Sequence, residues 1–91
     1  MNPDYYTVYI LYSLKSGIYY TGFTSDLIKR FHDHNLFNVS GFTVKHRPWM
    51  VFYTEILPTK SKAMQREKFL KSGRGRTFIK NDIYPVYSLL I

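Results

Sequence analysis

Cysteine is absent from this chain of 91 residues, and acids are scarce, with six against thirteen lysines and arginines. The lack of cysteine excludes a disulfide framework and a cysteine-based zinc site, and it fits a reducing compartment, so we expect a cytoplasmic protein. No apolar run approaches the roughly 18 residues needed to cross a bilayer, and no membrane association is predicted. The polar start of the sequence shows no leader pattern.

Aromatic residues, in contrast, are abundant. The chain has nine Tyr, seven Phe and one Trp. A chain of this length is one domain by default, so we expect residues 1–91 to form a single domain with a thin core. Aromatic side chains allow such a core to bury much area per residue.

The net charge of +7 is concentrated in one segment. Residues 58–80 contain eight cations and the single acid Glu67. A basic face of this kind suits a polyanion, and nucleic acid is the partner that we favour over a merely solvated helix. The candidate contacts to a nucleic-acid backbone are Lys60, Lys62, Lys68, Arg74 and Arg76.

Residue types and spacing predict three strands and two main helices. Asp26 and its neighbours supply helix N-cap residues, Gly73 a C-cap, and Pro85 a helix breaker. The predicted elements are strands 5–13, 18–23 and 49–57, a helix from residue 27 to about 37, a loop over 38–48, a helix that residues 58–61 open and that runs to about residue 72, a connector over 74–76, a short helix over 77–81 and an apolar tail over 86–91. This ββαβα order with a short C-terminal helix is typical of an α+β fold with a small three-stranded antiparallel sheet flanked by helices.

Two tyrosines share one face of the predicted hairpin. A four-residue turn places Leu11 opposite Tyr20 and Tyr9 opposite Gly22, so Tyr9 and Tyr20 are diagonal neighbours. Gly22 is expected to leave open space beside Tyr9. Cross-strand aromatic packing is the simpler explanation of this pair taken alone.

Arg30 and His34 are four residues apart on the first predicted helix and lie at the rim of a stripe made by Leu27, Ile28 and Phe31. Arginine matches phosphate oxygens, and histidine can donate to a phosphate or carry a proton. A surface pair of Asp26 with Arg30 and a half-buried His34 explain the pattern equally well.

Glu67 falls within the stripe of Ala63, Met64 and Leu70 on the second main helix. Burial of a carboxylate is costly unless it is paired or bound to a metal, and Mg²⁺ prefers hard oxygen ligands. An ion pair with Arg30 or Lys71 is the alternative.

These residues resemble the motifs of the GIY-YIG nuclease superfamily. Thr7-Val8-Tyr9 is similar to the first motif with its Gly replaced, Tyr20-Thr21-Gly22 to the second, and Gly17-Ile18-Tyr19 is a decoy in the turn. Arg30, His34 and Glu67 occupy the positions of the family's functional residues, and Asn81 is a weak candidate for its late Asn. The similarity covers about residues 5–81 and is strongest to small, single-domain, excinuclease-subunit-like bacterial proteins.

The resemblance implies a divalent-metal-dependent endonuclease that acts on DNA or a branched or damaged relative, with a connection to DNA repair. Glu67 would bind Mg²⁺, with Mn²⁺ as a substitute, Arg30 would stabilise phosphoryl charge, and Tyr20 or Tyr9 would accept a proton from water. That phenol is expected to be acidified by nearby positive charge, and His34 would orient it or relay the proton. A catalytically silent nucleic-acid-binding module is the main alternative and a structural adaptor a weaker one, and the sequence leaves open a homodimer or a protein partner.

Overall fold

Three antiparallel strands form one sheet in the order β2-β1-β3, so β1 is central and β2 and β3 are edge strands. The computed structural model describes residues 3–87. The elements are β1 (Tyr6–Ser13), β2 (Tyr19–Thr24), α1 (Leu27–His32), a first π turn (Asp33–Phe37), α2 (Phe42–Lys45), β3 (Trp49–Leu57), α3 (Lys60–Lys71), α4 (Gly73–Phe78), a second π turn (Ile79–Ile83) and α5 (Tyr84–Tyr87). The predicted α+β class and three-stranded sheet are confirmed.

The hairpin has the register that the sequence predicts. Gly17 lies in the turn with φ of 69°, a conformation that glycine adopts readily. Leu11 pairs with Tyr20 and Tyr9 pairs with Gly22. Tyr9 and Tyr20 therefore point to the same face of the sheet, as expected.

The segment between β2 and β3 is more structured than predicted. Asp26 caps α1 by accepting from the backbone N–H of Lys29 at 3.1 Å. The helix changes from α to π geometry at Asp33 instead of running to residue 37 as one α-helix. The predicted loop over 38–48 contains α2, which begins after Gly41, whose φ is 107°.

The boundaries after α3 differ from the prediction. Ser72, not Gly73, is the C-cap of α3, and the same Ser72 hydroxyl accepts from the N–H of Gly75 to cap α4. The predicted connector over 74–76 is thus helical. Pro85 does not end the helical geometry, because it lies in the first turn of α5, where a missing N–H is tolerated. Of the predicted tail over 86–91, residues 88–91 lie outside the described residues.

Two apolar clusters lie on the two sides of the sheet. Val8, Ile10 and Phe52 pack with Ala63, Leu70, Ile79 and Ile83 of the C-terminal helices. Tyr9, Leu11 and Trp49 form the second cluster, and side chains of β2 and α1 pack against it. Within residues 3–87 no helix is long and apolar enough to cross a membrane.

Two predicted core positions are wrong. Ile28 is 74% exposed and Met64 is 51% exposed. Ile28 instead borders a small surface hollow with Tyr5 and Ile56. Ala63 and Leu70, seven residues apart, are the fully buried residues of α3, so the buried stripe is narrower than the sequence pattern suggests.

Candidate active site

The centre of the candidate site is a buried hydrogen-bonded pair. Tyr9 extends from β1, His34 lies on the first π turn, and the Tyr9 hydroxyl is 3.1 Å from His34 Nε2. Both side chains are 2% exposed. His34 is therefore fully buried, not half-buried at the rim of a helix as the spacing suggested. Its other ring nitrogen, Nδ1, is buried and has no hydrogen-bond partner among the described residues.

Tyr20 lies beside this pair and is only half-buried. Its ring meets that of His34 edge to face, with an angle of 61° between the planes and centroids 4.9 Å apart. Trp49 contacts it edge-on at 6.1 Å, and Phe42 of α2 stacks on it at 6.3 Å. Three aromatic neighbours thus hold the Tyr20 ring while one side stays accessible.

Gly22 leaves the space that the Tyr9 ring occupies, because it has no side chain. A Cβ atom at Gly22 would lie 2.5 Å from the Tyr9 hydroxyl oxygen and 2.7 Å from Cζ. The expectation of open space beside Tyr9 is therefore wrong, because the Tyr9 phenol itself fills it. The glycine of the second motif allows the phenol to lie flat against β2 and reach His34.

The first π turn is held in place by an arginine that sequence reasoning missed. The guanidinium of Arg47 donates to three carbonyl oxygens, those of His34 at 2.5 Å, Asp33 at 3.1 Å and Asn38 at 2.7 Å. These carbonyls end a helical segment and would otherwise be partly unpaired. An arginine inside a loop gives no signal of this role, because the contact depends on how the loop returns to the turn.

Asn35 ties the same turn to the sheet. Its amide donates to the carbonyl of Trp49 at 2.9 Å and accepts from the Trp49 N–H at 2.6 Å. The indole Nε1 of Trp49 donates to the Thr43 carbonyl at 2.8 Å. The turn that carries His34 and the helix that carries Phe42 are thus both fixed to the first residue of β3.

Arg30 is the exposed member of the site. Its side chain is 45% exposed, and the distance to an Asp33 carboxylate oxygen is 3.9 Å. The predicted alternative, a pair with Asp26, is not the contact that forms, since Asp26 caps α1. The Arg30 charge nevertheless acts on both buried groups, as the pKa values of Tyr9 and His34 show.

Burial shifts both pKa values away from the charged forms. The pKa of Tyr9 is raised to about 12, first by burial and then by Tyr20, while a hydrogen bond and the charge of Arg30 oppose the shift and Glu67 adds slightly to it. The pKa of His34 is lowered, again first by burial and then by the charge of Arg30. The expectation of an acidified phenol is therefore wrong for Tyr9. At neutral pH the pair consists of a neutral phenol and a neutral imidazole.

Glu67 lies at the edge of the site, close enough to influence the pKa of Tyr9. Its side chain is 21% exposed, and its Oε1 accepts from Lys71 Nζ at 2.9 Å. Of the two predicted ion-pair partners, Lys71 is therefore the one it contacts. The described residues contain no group of three side chains of His, Asp or Glu that could hold a metal ion. One carboxylate still fits Mg²⁺, which is commonly bound through one or two carboxylates, substrate phosphates and water.

A second ion pair fixes the orientation of α3. Arg66 donates to both carboxylate oxygens of Glu55 on β3 at 2.9 Å, and its guanidinium lies over the rings of Phe69 and Phe78. Burial alone would raise the pKa of Glu55, but the hydrogen bonds from Arg66 and Tyr53 outweigh that effect and lower it. This contact anchors α3, which also carries Glu67, on β3. The sequence indicated Arg66 as a cation of the basic segment and as the residue before Glu67, and it gave no sign of the pair with Glu55.

The remaining predicted site residues are exposed. They do not enter the Tyr9–His34 cluster, and their assignment to nucleic-acid contacts stays a prediction. Asn81 lies on the second π turn and likewise stays a prediction. These exposed residues are Lys60, Lys62, Lys68, Arg74, Arg76 and Asn81.

Comparison with known proteins gives one family. The family model described as the GIY-YIG catalytic domain matches residues 5–80. A UPF0213 protein of Staphylococcus saprophyticus is 36% identical over 69 residues, which cover 76% of this chain and 83% of that protein. A UPF0213 protein of Halobacterium salinarum is 36% identical over 64 residues, covering 70% of this chain and 82% of that protein.

A solved structure agrees with this result. The solution NMR structure of a UPF0213 protein from Bacillus halodurans superposes with a TM-score of 0.56, at 28% identity and with 93% of each chain covered. A GIY-YIG domain implies a nuclease whose substrate is a nucleic acid. The chain described above belongs to the GIY-YIG family.

Proposed function

We propose that this protein is a divalent-metal-dependent endonuclease that hydrolyses phosphodiester bonds in DNA, and that residues 1–91 act as one catalytic domain. The observation that carries the proposal is the convergence on Tyr9, whose hydroxyl contacts His34 and whose pKa responds to Tyr20, Arg30 and Glu67. Four residues from one strand, a π turn and two helices thus affect one buried phenol. If each of these residues had only a structural role of its own, they would not need to lie close to one another.

The difference in exposure supports different roles for the two tyrosines. Tyr9 is buried, whereas Tyr20 is only half-buried, so Tyr20 is the phenol that reaches the attacking water. The water oxygen bonds to phosphorus as its proton passes to the Tyr20 hydroxyl, and the bond from phosphorus to the leaving sugar oxygen breaks. The leaving oxygen departs with the electron pair of that bond and takes a proton from solvent water. Tyr20 passes its own proton to Tyr9, and Tyr9 passes its proton to His34 Nε2. The lowered pKa of His34 keeps its imidazole neutral, so it is ready to receive that proton.

Arg30 and Glu67 act on the phosphate. The exposed guanidinium of Arg30 can bind the phosphate oxygens and stabilise the charge that develops on them. Glu67 would hold Mg²⁺, or Mn²⁺ in its place, which supplies positive charge at the scissile phosphate and the leaving oxygen. The Glu67 oxygen that would hold the metal is the one that accepts from Lys71 in this structure.

The alternative is a nucleic-acid-binding module without catalysis. The Glu67–Lys71 contact favours it, because a carboxylate already paired with a lysine has less need of a metal. The exposed lysines and arginines would then bind the phosphate backbone with a strong dependence on salt and no dependence on metal.

One experiment distinguishes the nuclease from the binding module. The protein is incubated with supercoiled plasmid, linear duplex, branched DNA and RNA, and each substrate is tested with Mg²⁺, with Mn²⁺ and with EDTA. Nicking or cleavage that requires the metal supports the nuclease. Binding to these nucleic acids without cleavage under any of the metal conditions supports the silent module.

A further inference from the structure

A groove runs along the free edge of β2. It has a volume of about 930 Å³ and is bounded on one side by residues 17–21 and on the other by the end of α3, by α4, by the second π turn and by α5. Lys71 borders this groove, and its ammonium lies 2.9 Å from Glu67, the proposed metal ligand. A chain lying in the groove would therefore pass beside the carboxylate that is proposed to hold the metal.

The charges around the groove are of one sign. Of the eleven described residues that line it, three are the cations Lys71, Arg76 and Lys80, and none is acidic. All three cations are exposed. They come from three different elements that meet at this edge, so the positive charge is not a by-product of one basic helix. Such a rim is complementary to a row of phosphates.

The floor of the groove is apolar and aromatic. Leu70 and Ile79 contribute buried aliphatic surface, while the rings of Tyr19 and Tyr84 also border it. Tyr84 is 43% exposed and its ring packs against Phe52 with centroids 6.3 Å apart, so it is a supported yet accessible platform. A duplex buries its base faces within its own stack and offers the groove only phosphates and base edges. Unpaired nucleotides offer base faces as well.

We propose that this groove binds the single-stranded stretch of a nucleic acid that adjoins the scissile phosphate. Aromatic platforms combined with a cationic track are the means by which proteins hold single strands without reading their sequence. The inference rests on the proposed nuclease function and names its substrate class, which is a strand with unpaired nucleotides next to the cleaved bond. Lys71 connects the two sites, because a metal at Glu67 would release its ammonium toward the phosphates in the groove.

Binding without metal tests the groove separately from cleavage. Fluorescence anisotropy in EDTA would compare labelled oligothymidylate and oligouridylate of about ten nucleotides, within the range of single-strand site sizes, with a duplex of equal length. The groove variants are Arg76→Glu combined with Lys80→Glu, Tyr84→Leu, and Tyr84→Phe, which keeps the ring. Lys62→Glu is the matched control, since it reverses an exposed charge outside the groove.

We expect the charge-reversed pair and Tyr84→Leu each to weaken single-strand binding about tenfold with a smaller effect on the duplex. Tyr84→Phe should bind like the wild type, and Lys62→Glu should weaken both forms by similar factors. Binding of either oligonucleotide supports the groove, and the two arms tell DNA from RNA. Single-strand affinity unchanged in both groove variants, or reduced in equal proportion with duplex affinity, would overturn the proposal. Metal-dependent cleavage by the wild type is measured apart from this, so an inactive protein with a working groove is recognised as such.

Discussion

The Tyr9 hydroxyl and His34 Nε2 are 3.1 Å apart, although 25 positions separate the two residues in the chain. Three features bring them together: Gly22 allows the phenol to lie against β2, the first π turn directs the imidazole inward, and Arg47 holds that turn by its carbonyls. The pair is buried and neutral, which suits a relay better than a group that contacts the substrate itself.

Removal of the two hydroxyls should have different consequences. Tyr20→Phe should retain the fold and reduce single-turnover cleavage by about 10²–10⁴-fold, the usual effect of removing a proton-transfer group. Tyr9→Phe should also reduce cleavage, and in addition it should lower the free energy of unfolding by about 1–3 kcal/mol, because His34 Nε2 loses its buried partner. Quenched-flow cleavage and urea denaturation measure both. Rates like those of the wild type in both variants would remove tyrosine from the mechanism.

The Gly22 position offers a test that leaves every functional group intact. In Gly22→Ala the new methyl group overlaps the Tyr9 phenol, so the ring must move away from His34. We expect a loss of about 1–3 kcal/mol in the free energy of unfolding together with slower cleavage. Gly73→Ala is the matched control, because a Cβ atom there meets nothing within 4 Å. Equal behaviour of the two alanine variants would mean that the close approach of Tyr9 to β2 is unimportant.

The lowered pKa of His34 predicts a loss of stability in acid. Its ordinary value is 6.5, and the folded value lies below that, so the unfolded chain takes up a proton at a higher pH than the folded chain does. The contribution of His34 to stability is complete above the ordinary value and is lost as the pH falls toward and through the folded pKa. Melting temperatures between about pH 8 and pH 5 should fall less in His34→Gln than in the wild type.

His32→Gln serves as the control for this measurement, since His32 is an exposed histidine on the same helical segment. Cleavage should decline over the same acid range, because a protonated imidazole cannot receive the proton from Tyr9. Parallel acid denaturation curves for the wild type and His34→Gln would contradict the assignment of a buried neutral imidazole.

The exposed lysines of α3 should contribute affinity without sequence preference. Charge reversal of Lys60, Lys62 and Lys68 together should weaken duplex binding at low salt and flatten the slope of log K against log salt, by about one unit for each phosphate that the protein no longer neutralises. Filter binding over a series of salt concentrations measures the slope. An unchanged slope would show that this face of α3 does not touch the nucleic-acid backbone.

The sheet, the hairpin register and the family could be predicted from the sequence because they depend on local periodicity and on short motifs. The contacts of Arg47 and the Glu55–Arg66 pair could not be predicted in this way. Both contacts join segments that are distant in the sequence, and no local pattern indicates that those segments lie close together. Ile28 and Met64 were predicted to be buried but are exposed, and the reason again lies outside the local sequence pattern. A helical stripe indicates which residues can share a face, but the width of the buried contact depends on the neighbouring element, and here α3 is buried only along Ala63 and Leu70.

Glu67 separates the competing functions most sharply. Its partner Lys71 is 52% exposed at the side chain, so the pair is worth about 0–1 kcal/mol, and Glu67→Gln should melt at nearly the wild-type temperature. If Glu67 binds the metal, the same change should abolish metal-dependent nicking and weaken Mn²⁺ binding measured by calorimetry, while DNA binding in EDTA survives. Glu55→Gln is the contrasting control: it weakens the two hydrogen bonds from Arg66, should cost about 1–3 kcal/mol, and should leave metal binding intact. Nicking that persists in Glu67→Gln, with unaltered Mn²⁺ affinity, would show that this carboxylate only pairs with Lys71.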